Sequence, residues 1–129
     1  MITNELASRL RAAGIVWTPA NGDRFVIPDR DMDDQVFVVS DMVIESHDVA
    51  GGRVIRFNGT TEWALDSLPA ELVLWLPRED QLRELLAESF VRLEALGDGL
   101  VVVLADGSRH ADTDAERAYA RAILHTHGT

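Results

Sequence analysis

The chain has no cysteine. Disulfides, thiolate metal sites and cysteine nucleophiles are excluded together, and a reduced, cytoplasmic setting is the expected one. Lysine is absent too: all twelve basic residues are arginine. No Schiff-base lysine, pyridoxal-phosphate anchor or phosphate-loop lysine is therefore available. Long apolar runs are missing. The longest covers residues 100–105, far short of the roughly 20 residues a membrane helix needs. The opening Met1-Ile2-Thr3-Asn4-Glu5 has neither a basic segment nor an apolar core, so no signal peptide and no membrane partner are expected. Positive charge is scarce: 12 basic residues face 22 acidic ones, for a net charge of −10. Such a surface repels phosphate backbones, so nucleic acid is not an expected partner, whereas a cationic protein is admitted.

What is present is the composition of a folded domain. With 129 residues, 47% of them apolar, the chain reads as a single domain over residues 1–129 with a core that needs no covalent staple. Thr3 caps a first helix with Leu6 and Leu10 one turn apart, and Gly14 stops it. Pro19, Asn21 and Gly22 form a turn before a short strand, Arg24-Phe25-Val26-Ile27, which Pro28 ends. Residues 29–34 read as an acidic loop, and residues 35–40 as a strand rich in β-branched and aromatic side chains. Strands over residues 42–47 and 53–57 flank a hairpin loop, Asp48-Val49-Ala50-Gly51-Gly52. Thr60 or Thr61 caps a short helix carrying Trp63 and Leu68, broken at Pro69. Residues 72–76 fit strand or packed coil.

Pro77 opens a helix with Leu82, Leu85 and Leu86 on one face. Alternation in residues 91–95, a turn at Asp98-Gly99 and the apolar residues 100–104 make a C-terminal hairpin, followed by a turn at Asp106-Gly107. Thr113-Asp114-Ala115-Glu116 reads as a capping box with Thr113 as N-cap. Behind it Ala115, Ala118, Tyr119, Ala122 and Ile123 share one face of a closing helix. The class is α+β: antiparallel sheets from a meander and a C-terminal hairpin, covered by about four helices. A weak composition break lies near residues 69–77.

Chemistry is sparsely signalled. Asp29, Asp31 and Asp33 alternate, with Asp34 beside them, like the opening of a calcium loop. Asp34 stands where that loop needs glycine and Ser40 where it needs a bidentate Glu, so no metal is assigned and the four aspartates stand as a binding candidate. His47, His110, His125 and His127 show no spacing of a zinc site. No G-x-S-x-G elbow occurs, and Gly97-Asp98-Gly99 fails the dinucleotide fingerprint because Val102 holds its third glycine position. No cofactor and no catalytic residue is expected. Trp63, after Thr60-Thr61-Glu62 at a helix start, is a second binding candidate, where backbone N–H groups meet an anion. Trp17, Trp63 and Trp75 could each line a pocket or an interface, but all three fit the core, where most tryptophans of a small domain lie.

Three stretches, residues 22–29, 53–68 and 74–82, resemble a family of small actinobacterial proteins, and the likeness extends over most of the chain. Some members of that family are labelled pilus assembly protein CpaE. Larger proteins of that label resemble ATPases with a phosphate-loop lysine, which this chain does not have, so the resemblance implies no catalytic or binding residue here. The leading expectation is a non-enzymatic protein-binding or adaptor domain. The alternatives are a small Asp/His-dependent hydrolase and an acidic, immunity-like inhibitor of a basic partner. A homodimer is expected if the helix after Pro77 runs through Leu93 and Leu96. That helix would carry more apolar surface than the sheet can hide. A strand over residues 90–96 would bury the same side chains internally.

Overall fold

The computed structural model describes residues 1–28, 32–39, 43–49, 52–58, 67–69 and 73–128, with residues 32–34, 43–49, 52–58 and 67–69 as backbone. Among the described residues the class is α+β, with three helices and three antiparallel three-stranded sheets. No helix there is long and apolar enough to cross a membrane. The chain divides into two compact units, one of Met1–Val16 with Pro77–Thr129 and one of Trp17–Leu76. The division at Leu76/Pro77 falls in the composition break. The return of the first sixteen residues to the C-terminal half had no local signal.

In the first unit, α1 spans Asn4–Ala12, and the Thr3 hydroxyl accepts the Leu6 N–H at 3.1 Å. Leu6, Ala7 and Leu10 are buried. Gly14 adopts a φ of +104°, a conformation that costs glycine little and ends the helix. α2 spans Glu79–Leu86 and buries Leu82 and Leu86. It does not continue to Phe90. A 3-10 turn, Ala87–Ser89, leads into β7, Phe90–Leu96, so Leu93 belongs to a strand and the long apolar helix stripe does not form.

β7 pairs with β8, Gly99–Leu104, and β8 with β9, Arg109–Asp112. The first turn is centred on Gly97 and Asp98, one residue earlier than Asp98-Gly99, because Leu96 pairs with Gly99 and Gly97 takes the positive φ. The register sorts the sheet into two faces. Leu93, Val102, Leu104 and His110 face α3, Ala115–Thr126, which buries Ala118, Tyr119, Ala122 and Ile123. On the other face Arg92, Glu94 and Arg109 flank Val101 and Val103. Glu94 accepts from Arg92 and, at 2.8 Å, from Arg109. Val101 and Val103 are buried as well, so both faces of β8 are covered.

The cap of α3 is a correction. Its N-cap is Asp114, whose carboxylate accepts the Arg117 N–H at 3.1 Å, not Thr113. Glu116 does not close a capping box on Thr113; it accepts the Ile2 N–H at 3.0 Å. A partner from the other end of the chain has taken the acid that local reasoning assigned to the helix.

In the second unit, β2 (Met32–Val38), β1 (Arg24–Ile27) and β6 (Leu74–Leu76) form one sheet in the order β2-β1-β6. Phe25 pairs with Phe37 on one side and Trp75 on the other. Trp17 stacks on Trp75 at 6.4 Å and touches Phe25 at 5.7 Å. The Trp17 indole N–H donates to the buried Asp23 carboxylate at 2.8 Å, which also accepts the Ala20 N–H at 3.0 Å and so holds the turn. The Trp75 indole N–H is buried without an acceptor among the described residues.

The other sheet is β3 (Val43–Val49), β4 (Gly52–Asn58) and β5 (Ser67–Pro69), in that order. Three expectations change here. Met32, Asp33 and Asp34, expected in the acidic loop, belong to β2. Asp48, Val49 and Gly52, expected in the hairpin loop, belong to the strands, with Asp48 paired to Arg53 and Val49 to Gly52. Leu68 lies in a strand rather than a helix, paired with Ile55. Pro69 is tolerated there because β5 is an edge strand, where a missing N–H costs no ladder bond.

Candidate functional site

Of the sequence candidates, Trp63, Asp29 and Asp31 lie outside the described residues, and Asp33 and Asp34 stand on β2 as backbone. Three other constellations are fully described, all in the first unit.

The largest is a groove of about 760 Å³ between α2, the start of β7 and α3. α2 places Glu79, Asp80, Arg83 and Glu84 along it, because positions three and four apart share a helix face. Phe90 and Tyr119 form its aromatic floor, with ring centroids 5.7 Å apart. The Arg83 guanidinium lies over the Phe90 ring at 4.5 Å. Burial raises the Tyr119 hydroxyl above its ordinary pKa, the Glu79 charge adds to this, and Arg83 opposes it. Arg78 binds Asp80 at 3.1 Å and holds its carboxyl below the usual range. Glu79 and Glu84 form no ion pair among the described residues.

The second lies where the β8–β9 turn meets the end of α3. His110 Nε2 is 2.9 Å from Ser108 Oγ, His125 Nε2 is 2.8 Å from Asp106, and the two imidazoles are 4.8 Å apart. The Asp106 carboxylate accepts the Ser108 N–H at 2.8 Å, and Ser108 and His125 together hold it well below the usual carboxylate range. Asp106 orients His125, the other histidine of the pair. Burial pushes His110 below its ordinary pKa, and the neighbouring His125 adds to this, with Asp106 opposing. The turn glycine Gly107 and the 15-residue spacing to His125 gave no hint of this meeting.

The third is a cleft between α1, the end of β9 and α3, where Asp112 binds Arg117 at 2.8 Å and Arg121 at 3.0 Å. Burial acts to raise the Asp112 pKa, but hydrogen bonds from Arg121, the Asp114 N–H and Arg117 outweigh it and keep the group ionised. Among the described residues no group of three or more His, Asp or Glu side chains has an arrangement that could hold a metal ion.

No family model, no curated protein and no solved structure matches this chain.

Proposed function

We propose that the chain is a non-enzymatic protein-binding domain that receives a basic segment of a partner protein. The observation that carries this reading is the groove over Phe90 and Tyr119, where Glu79 and Glu84 present carboxylates that are not neutralised within the described fold. An aromatic floor beside unpaired carboxylates suits a guanidinium or ammonium group, which gains from both the ring faces and the charge. Arg83 over Phe90 is the chain's own example of that contact. The net charge of −10 favours the same partner, and the unit that holds the groove is itself acidic, with 11 acidic against 8 basic residues.

The test titrates the protein with an Arg/Gly octapeptide and, as control, a Glu/Gly octapeptide. Tyr119 is the chain's one tyrosine and gives an unambiguous ring signal in NMR spectra. Saturable shifts of Tyr119 and Phe90 with the basic peptide alone are expected, weakening as salt rises. The double substitution Glu79→Gln, Glu84→Gln removes two exposed pairs of roughly 0.2–1 kcal/mol each, so affinity falls about twofold to thirtyfold. Binding that the double variant leaves intact would exclude the groove, and a peptide that does not saturate at millimolar concentration would exclude the reading.

A further inference from the structure

The cleft at Asp112 reverses the sign of its surroundings. In a chain of net charge −10, three of the twelve arginines, Arg9, Arg117 and Arg121, line a cavity of about 280 Å³ together with only two acids, Glu5 and Asp112. Asp112 spends one oxygen on Arg117 Nε and the other on Arg121 Nε, so it cannot neutralise a third cation. Arg117 spends one Nη on the Thr113 hydroxyl at 2.7 Å. Both Nη groups of Arg121, and the whole guanidinium of the exposed Arg9, meet no acceptor among the described residues. A guanidinium carries five N–H donors in a planar fork that matches a carboxylate. Thr3 adds a hydroxyl proton, because its oxygen accepts the Leu6 N–H and leaves the O–H free to donate.

We propose that this cleft binds a small organic monocarboxylate, gripped by Arg9 and Arg121 while Asp112 holds Arg117 and Arg121 in place. Within the lining, three cations against two anions leave one positive charge, which a single carboxylate cancels; the nearby Asp114 carboxylate is balanced by the Met1 amino group. Glu5 at the rim disfavours a second negative charge, and so disfavours phosphate. Leu6, buried in the wall, offers contact to a short apolar body. The volume of about 280 Å³ lies just below the roughly 300–1,000 Å³ typical of small-molecule sites, so the ligand is small.

The site is separate from the groove over Phe90, and its test does not depend on that reading. The full chain is titrated with sodium propionate, propionamide, sodium phosphate and sodium chloride at matched ionic strength, with the arginine Nε–Hε signals as readout. Arg9→Gln and Arg121→Gln assign the signals. Saturable shifts of Arg9 and Arg121 with propionate, none with propionamide, and weaker binding of phosphate are expected. Arg9→Gln, a change at an exposed position, lowers propionate affinity at least fivefold with unchanged circular dichroism. Shifts no different from those of chloride overturn the proposal, as does tighter binding of phosphate than of propionate, or propionate affinity unchanged in Arg9→Gln.

Discussion

Replacing Asp114 by alanine separates the two assignments of the α3 N-cap. The carboxylate accepts the Arg117 N–H, a cap bond whose loss costs about 1 kcal/mol, within a range of about 0.5–2. The same carboxylate accepts the Met1 amino group at 2.8 Å, with side-chain exposures of 45% and 29% for the two partners. Solvent screens such a pair to roughly 0.2–1 kcal/mol. Asp114→Ala should therefore cost about 1.5 kcal/mol. Asp114→Asn keeps a competent cap and loses only the charge, so it should cost about 0.5 kcal/mol. Thr113 is exposed and its hydroxyl touches Arg117 Nη2 and, at 3.4 Å, Asp112; Thr113→Ala should stay within about 0.5 kcal/mol. The choice of assay matters, because all three tryptophans lie in residues 17–76 while the three described α-helices lie in the other unit. Urea unfolding followed by circular dichroism at the helical band reads α3 directly, whereas tryptophan fluorescence reads residues 17–76. A Thr113→Ala variant that loses more stability than Asp114→Ala would refute the assignment and restore the capping box.

His110 has a lowered pKa, so in the native state it resists a proton that the unfolded chain accepts near pH 6.5. Stability should be full above that pH and fall as pH drops below it, and His110→Gln should flatten this slope in melting temperatures taken between pH 5 and 7.5. Asp106 acts in a separate window: its lowered pKa contributes stability above the ordinary carboxylate range that is lost only under strong acid, so Asp106→Asn should narrow the gap between stabilities at pH 5 and pH 2. Leu82 is fully buried on α2 against α3, and Leu82→Ala should cost about 2–5 kcal/mol in the same urea assay; a cost under 1 kcal/mol would contradict the packing. Trp17→Phe removes a donor from the buried Asp23 and should cost about 1–3 kcal/mol beyond lost packing, whereas Trp17→Phe on an Asp23→Asn background should cost less because no charge is left short of a donor.

The features legible in the sequence are those whose physics is local. Thr3 capping α1, Gly14 ending it, the strand Arg24–Ile27, the C-terminal hairpin and the apolar face of α3 each follow from one residue's dihedral freedom or from a period of two or 3.6. Those terms act within a few residues and survive whatever packs around them. The functional constellations are different in kind. His110 meets His125 because β9 and α3 run side by side, and Arg9 reaches the cleft of Arg121 because α1 packs on α3. The same long-range packing overrode local signals. Glu116 had a capping role by spacing, but α1 returning to α3 supplied a backbone N–H from Ile2 as its partner. Ser67–Pro69 had the look of a helix end, but β4 offered an unpaired edge, and ladder bonds there outweighed local propensity. Spacing along the chain carries no record of which distant backbone arrives beside a residue, and it is that arrival, through shared hydrogen bonds and excluded water, that assembled the groove and the cleft.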